Sequence, residues 1–160
     1  MTVVQSLRSP LVLFVAIGSG LTAGIFFAFS TFLMKALGQQ SAAVGIAAMQ
    51  SINITVINPW FMAVFFGPGV IGLLLTLTTF RKFEQPRAWY GLAGTVIYLI
   101  GTIGVTIAGN VPLNDALAVV NPNSAAGAYL WTNFLTDWTF WNHVRTIAAA
   151  IAAVLFTLTL

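Results

Sequence analysis

The residues best suited to chemistry lie close together near the C-terminus. Trp138-Thr139-Phe140-Trp141-Asn142-His143-Val144-Arg145 holds the only histidine and one of six Lys/Arg residues, and Asp137, one of three acids, directly precedes it. Everything after Arg145 is apolar or threonine. His143 is the residue type that most often serves as general base, and it would suit removal of an activated C–H or phenolic proton. An arginine inside an apolar helix is costly and marks a site by default, with an arginine meeting lipid headgroups as the structural reading. On a helix, Asp137, Trp141 and Arg145 form one stripe and Trp138, Asn142 and Arg145 an adjacent one, with His143 expected about 60° off the Arg145 stripe. Asp137 and Arg145 stand two turns apart, about 12 Å along the axis, so each is expected to find its partner on another helix.

Several chemistries are excluded by what is missing. There is no cysteine, so no disulfide, thiolate metal site or cysteine nucleophile. A lone histidine with three acids offers no two-histidine haem site and no di-iron carboxylate set. Haem or a metal through His143, with Met34, Met49 or Met62 as second ligand, stays a minor alternative, and the reading predicts no cofactor. No phosphate loop, dinucleotide fingerprint, nucleophile elbow or carboxylate pair occurs. The net charge of +3 is scattered or confined to one short loop, so no nucleic-acid partner is expected.

The elements that must position these residues lie in a membrane. Hydrophobic residues make up 59% and charged residues 6% of the 160-residue chain, with a mean hydropathy of +0.95. A soluble domain carries about 25% charged residues. The expected architecture is all-α: a four-transmembrane-helix bundle with a short extra helix between spans 1 and 2 and an extended helix leading into span 4. Residues 1–160 read as a single membrane domain, with spans at about 11–35, 59–80, 88–109 and 138–160. The apolar run from Leu11 reads as structure rather than as a leader.

Ser9-Pro10 reads as N-cap and first residue of span 1. Ala16, Gly20, Gly24 and Ala28 recur every four residues and predict a helix-packing stripe. Phe26, Phe27, Phe29 and Phe32 crowd the end of the span, and Lys35 either snorkels or points into a site. Gln50 and Asn53 share one face of a helix over about 41–57 and need a polar partner there. Asn58-Pro59 starts span 2, and Gly67-Pro68-Gly69 predicts a kink within it. In span 3, Thr95, Tyr98, Thr102 and Thr106 recur at three- or four-residue steps, with Asn110 continuing the line. Their hydroxyls either bond locally or line a cavity. Pro112 is expected to end that helix, with Asn114 capping a short one to Val120. From Ala125 the pattern runs unbroken to Leu160, about 36 residues or roughly 54 Å.

Arg81-Lys82-Phe83-Glu84-Gln85-Pro86-Arg87 is the one charge cluster, and the positive-inside rule makes it cytoplasmic. Both termini are then cytoplasmic, in a plasma or inner membrane. Lys35, Gln50, Asn53, Asn58, Asn110, Asn114, Asp137, Asn142, His143 and Arg145 gather toward the opposite end.

Three ordered motifs carry a family resemblance: Met49-Gln50-Ser51-Ile52-Asn53 with Asn58-Pro59 beyond it, Asn110-Val111-Pro112-Leu113-Asn114, and Trp138 with Trp141-Asn142-His143-Val144-Arg145-Thr146. Over about residues 10–160 the chain resembles the anthrone-oxygenase-like family of small four-span membrane proteins. Fungal members are described as converting an anthrone to an anthraquinone with O₂ and no recognised cofactor. The resemblance implies a membrane-embedded oxygenase acting on a flat, hydrophobic, phenolic or anthrone-type substrate. The site expected is His143, Arg145 and Asn142 for catalysis, with Gln50, Asn53, Asn110, Asn114, Trp138, Trp141 and Tyr98 for binding. In that expectation His143 takes the methylene proton, and Arg145 and the amides hold the oxyanion. The partners expected are a small hydrophobic aromatic substrate and the lipid bilayer, with homo-oligomerisation open. The alternative is a non-catalytic protein that binds haem, quinone or lipid, or a subunit of a membrane complex. A small transporter is disfavoured by four spans without an internal repeat.

Overall fold

The computed structural model describes residues 3–79 and 86–160. All of its elements are helices. α1 (Val3–Ala28) passes through a π turn at Phe29–Leu33 into α2 (Met34–Gly38). α3 (Ala42–Thr55) is the short helix, capped by Ser41, whose hydroxyl accepts from the Val44 N–H. α4 (Pro59–Thr79) starts at Asn58, whose Oδ1 accepts from the Phe61 N–H at 3.0 Å. α5 (Pro86–Ile97) continues through two π segments, Tyr98–Gly104 and Thr106–Asn110, into α6 (Val111–Ala118). α7 (Ala125–Thr157) is one helix of 33 residues, about 50 Å long.

Four helical stretches are long and apolar enough to cross a bilayer: Ser9–Gly38, Pro59–Thr78, Arg87–Ala118 and Ala125–Thr157. Their outer faces carry exposed large apolar side chains such as Ile17, Leu21, Leu74 and Val154, as expected where lipid is the solvent. Trp60 and Trp89, at the starts of the second and third stretches, are exposed like interfacial anchors. Most of the basic cluster at 81–87 lies outside the described residues. Arg87, at its end, donates from Nη1 to the Leu160 carbonyl at 2.8 Å. The end of α7 and the start of α5 therefore share one end of the bundle.

Two apolar clusters form the core. Near the Arg87 end, Val15, Ala16, Ala23, Tyr98, Ala149, Ala152 and Phe156 pack together. Gly101 lets the third spanning helix (α5 through α6, Arg87–Ala118, hereafter the third helix) close on α7, since a Cβ there would sit 2.6 Å from the Ala148 Cβ. At the other end Met34, Ile46, Met49, Leu117, Trp131, Phe134 and Trp138 pack α3 and α6 on α7. Gly45 allows this, because a Cβ there would meet the Trp131 ring at 2.6 Å.

Four expectations are corrected. α1 starts at Val3 with Pro10 inside it, so Ser9 is not its cap. The four-residue stripe packs at Ala16 but not beyond it: a Cβ on Gly20 or Gly24 would meet nothing within 4 Å. Strict four-residue spacing drifts about 40° per step around an α-helix, so it cannot stay on one face. Val15, Ser19, Thr22 and Phe26 are buried instead. Pro112 does not end the third helix, which runs to Ala118. A π turn precedes it, with the Val111 N–H bonded to the Thr106 carbonyl. Pro112 thus falls in the first turn after a widened one, where a missing N–H is best tolerated. For the same reason Asn114 lies inside a helix rather than capping a new one.

Candidate ligand cavity around Arg145

α4 packs on α5 and the first π segment but parts from the third helix beyond it. Gly69 marks a close approach, where a Cβ would lie 2.9 Å from Ile103 and Leu99, and the Tyr98 hydroxyl reaches one turn further to the Phe65 carbonyl. Past that point the helices enclose a cavity of about 290 Å³. Its walls are Ile25, Phe26 and Phe29 from span 1; Met49, Ile52 and Asn53 from α3; Phe61, Met62, Phe65 and Phe66 from α4; Ile103, Thr106, Ile107, Val111 and Asn114 from the third helix; and Trp138 and Arg145 from α7. Val56 and Ile57 complete the lining. Ile107, 63% exposed, and Phe66, 43% exposed, belong both to the wall and to the outer surface. The cavity wall therefore reaches the outer surface between α4 and the third helix, and again at Ile57, 71% exposed, in the turn between α3 and α4.

Arg145 is the only charged residue in this lining and is 5% exposed. Its Nη2 donates to Asn142 Oδ1 at 2.7 Å and its Nη1 to Thr106 Oγ1 at 3.2 Å. The guanidinium lies 4.1 Å from the Phe26 ring centre and 5.2 Å from that of Trp138. Nε has no partner. The two acids among the described residues, Asp115 and Asp137, are exposed. A buried charge without a counter-ion is strongly unfavourable, and two neutral acceptors with two ring faces compensate it only in part.

Trp138 is held from both sides. Its indole N–H donates to Asn114 Oδ1 at 2.8 Å, and its carbonyl accepts from Asn110 Nδ2 at 3.1 Å. An indole can only donate, so Asn114's oxygen is committed and its NH₂ is left to face the cavity. Asn142 is fully buried, and its Nδ2 donates to the Phe26 carbonyl and Ser30 Oγ, both at 2.7 Å.

The residues singled out from sequence thus separate into two groups. Arg145, Asn53, Asn114 and Trp138 line the cavity, and Asn142 stands directly behind Arg145. Gln50 does not reach it: its Nε2 donates to the Leu117 and Val120 carbonyls at 2.8 and 3.1 Å, tying α3 to the end of the third helix. Tyr98 is fully buried elsewhere, donating its one O–H to the Phe65 carbonyl at 2.7 Å, with Thr22 Oγ1 3.2 Å from the same oxygen. Asn110 is buried behind Trp138, with its Oδ1 unpartnered. Trp141 packs on Gly109 in an outer groove with Asp137 and Phe140. Lys35 is exposed.

His143 requires a larger correction. It is exposed and lines no wall of the cavity. Two residues of α-helix rotate by about 200°, so it stands about 160° from Arg145 rather than 60°. That places it on the opposite side of α7 from Met49 and Met62, which line the cavity. Among the described residues no group of three or more His, Cys, Asp or Glu gathers. The aromatic walls Phe61, Phe65 and Phe66 were not singled out, because an apolar residue in a membrane span reads alike whether it faces lipid or a cavity. Thr106 lay on the hydroxyl stripe, but nothing in the sequence pairs it with Arg145.

A four-span helical membrane protein with a lateral, aromatic-walled cavity and one buried cation is the class that fold and site define. The family model of the anthrone oxygenases matches residues 60–155, well over half of the sequence, and the chain belongs to that family. The match includes Asn114, Trp138, Asn142 and Arg145 but not Gln50 or Asn53. No curated protein and no solved structure matches the chain.

Proposed function

We propose that this protein oxygenates a flat, hydrophobic, phenolic or anthrone-type substrate that enters the cavity from the bilayer. The observation that carries the reading is Arg145: a buried cation with no carboxylate partner among the described residues, at the wall of an aromatic cavity, in a chain of this family. Phe26, Phe65 and Trp138 offer ring faces to a planar substrate. The Arg145 guanidinium and the Asn114 NH₂ are the donors nearest its carbonyl oxygen.

An anthrone is a ketone with an acidic methylene opposite its carbonyl. Loss of the methylene proton to water at the cavity mouth gives an enolate, whose negative oxygen faces Arg145. Fixed donors aimed at developing charge in a dry site are the largest catalytic effect open to such a protein. The electron-rich carbon then bonds to O₂, and the peroxide takes up a proton. Loss of the second methylene hydrogen with cleavage of the O–O bond releases water and leaves the quinone carbonyl. One O₂ is consumed; one of its atoms ends in the quinone and the other in water. His143 has no part in this sequence of steps.

The test is anthrone oxidation by the detergent-purified protein under ¹⁸O₂. One labelled oxygen per quinone, at a rate above spontaneous oxidation, is expected, and H143A is expected to stay within about twofold of wild type. Uptake no faster than in protein-free detergent contradicts the reading. Quinone or lipid binding without oxygen uptake would instead favour a non-catalytic binding protein.

A further inference from the structure

We propose that the cavity selects its ligand by charge, capturing planar aromatic weak acids as their conjugate bases, and that Asn142 is the positioning residue that keeps the charge of Arg145 available to them. The proposal rests on reading the cavity as a ligand site. It does not rest on oxygen chemistry, since a phenol with nothing to oxygenate is expected to bind in the same way.

The orientation of Asn142 is forced. The Phe26 carbonyl can only accept, so the 2.7 Å contact must come from the Asn142 NH₂. Its oxygen therefore faces Arg145 Nη2, also at 2.7 Å. Three residues before an arginine on one helix, an aspartate would form an ion pair. The amide supplies the same geometry without the charge. Thr106, on the third helix, holds Nη1 and is also neutral. Lys35, Arg87, Asp115, Asp137 and His143 are all exposed and none lines the cavity. The positive charge is thus oriented but not neutralised, and its Nε remains unpartnered and buried.

The counter-charge then falls to the ligand. A small hydrated anion is a poor candidate, because the rest of the wall is apolar and cannot replace its water. An aromatic oxyanion suits both parts: its ring lies among Phe26, Phe65 and Trp138, and its oxygen meets Arg145 and the Asn114 NH₂. On capture the ligand O–H bond breaks heterolytically and the proton leaves to solvent, with no change of oxidation state.

The probes are 2-naphthol and 2-methoxynaphthalene, which share a ring system, although only the first can ionise. They are added anaerobically at neutral pH, where free naphthol is un-ionised. Wild-type protein is expected to show the longer-wavelength naphtholate absorption and to bind naphthol at least about tenfold tighter than the ether. N142D supplies an internal counter-ion, so the naphtholate band and the preference disappear while ether binding persists. T106D places the same charge from another helix and is expected to act alike, which separates the charge effect from any local misfolding at Asn142. Wild-type protein that binds naphthol un-ionised overturns the proposal. So do N142D and T106D that both keep the band. A naphtholate band without anthrone oxidation retains this inference and removes the oxygenase reading; oxidation without the band does the reverse.

Discussion

At the scale of single residues, Arg145 sets function against stability. Its charge is 95% removed from solvent, the complement of its 5% exposure, and two neutral hydrogen-bond partners hold it. Replacing a buried, poorly compensated charge with an apolar side chain of similar length is often neutral or stabilising, by about 1–4 kcal/mol. R145M is therefore expected to melt at or above the wild-type temperature while losing anthrone oxidation by at least about 100-fold. A melting curve in detergent beside an oxygen-uptake trace checks both. Tyr98 behaves oppositely. Its hydroxyl is outside the cavity lining but holds the carbonyl of Phe65, a wall residue, so Y98F is expected to lower stability by about 1–3 kcal/mol while turnover falls far less than in R145M. Arg145 was legible because a charge in an apolar helix has few uses. His143 misled because it is the only histidine: scarcity drew attention to it, while helical rotation had already placed it on the far face.

At the scale of elements, the π turns explain what simple periodicity did not. Tyr98, Thr102, Thr106 and Asn110 are spaced by four, and an α-helix would carry that line around its surface. Two π segments widen the turns, and Tyr98, Thr102 and Asn110 are all fully buried, with Thr106 half-buried against Arg145. The polar four-residue spacing was visible in the sequence, as was the same spacing in Ala16, Gly20, Gly24 and Ala28. Only the first coincides with π geometry, and nothing local in the sequence distinguishes the two. The short helix α3 supplies Met49, Ile52 and Asn53 to the cavity and is fixed by Gln50 and by Gly45. G45A must push Trp131 aside and is expected to cost about 1–3 kcal/mol. Q50L removes the side-chain donor of the Leu117 and Val120 carbonyls, the first of which still accepts from the Val120 N–H, and is expected to cost a similar amount, about 1–3 kcal/mol. Because α3 forms one wall, both variants are also expected to weaken naphthol binding, measured by titration of the absorbance change.

At the scale of the whole molecule, composition alone specified a membrane protein, since so few charges leave no water-facing surface to build, and the succession of apolar runs set its four spans. The cavity was less legible, because it arises where α4 and the third helix part, and splaying is a property of packing rather than of pattern. Read with the basic 81–87 stretch on the cytoplasmic side, the turn at Asn121–Ser124 lies on the opposite side. The chain has no cysteine, so N123C in right-side-out membranes is expected to react with a membrane-impermeant maleimide; protection until the bilayer is broken would reverse the orientation. The central claim is that an aromatic cavity with an unneutralised arginine performs the family's oxygenation, and the most direct measurement compares wild type with R145M. Anthrone-dependent oxygen uptake is recorded in the same detergent, with the spontaneous rate subtracted and folding of both proteins verified by melting. Uptake is expected for wild type, and none above background for a fully folded R145M. A folded R145M that oxidises anthrone as fast as wild type would contradict that claim.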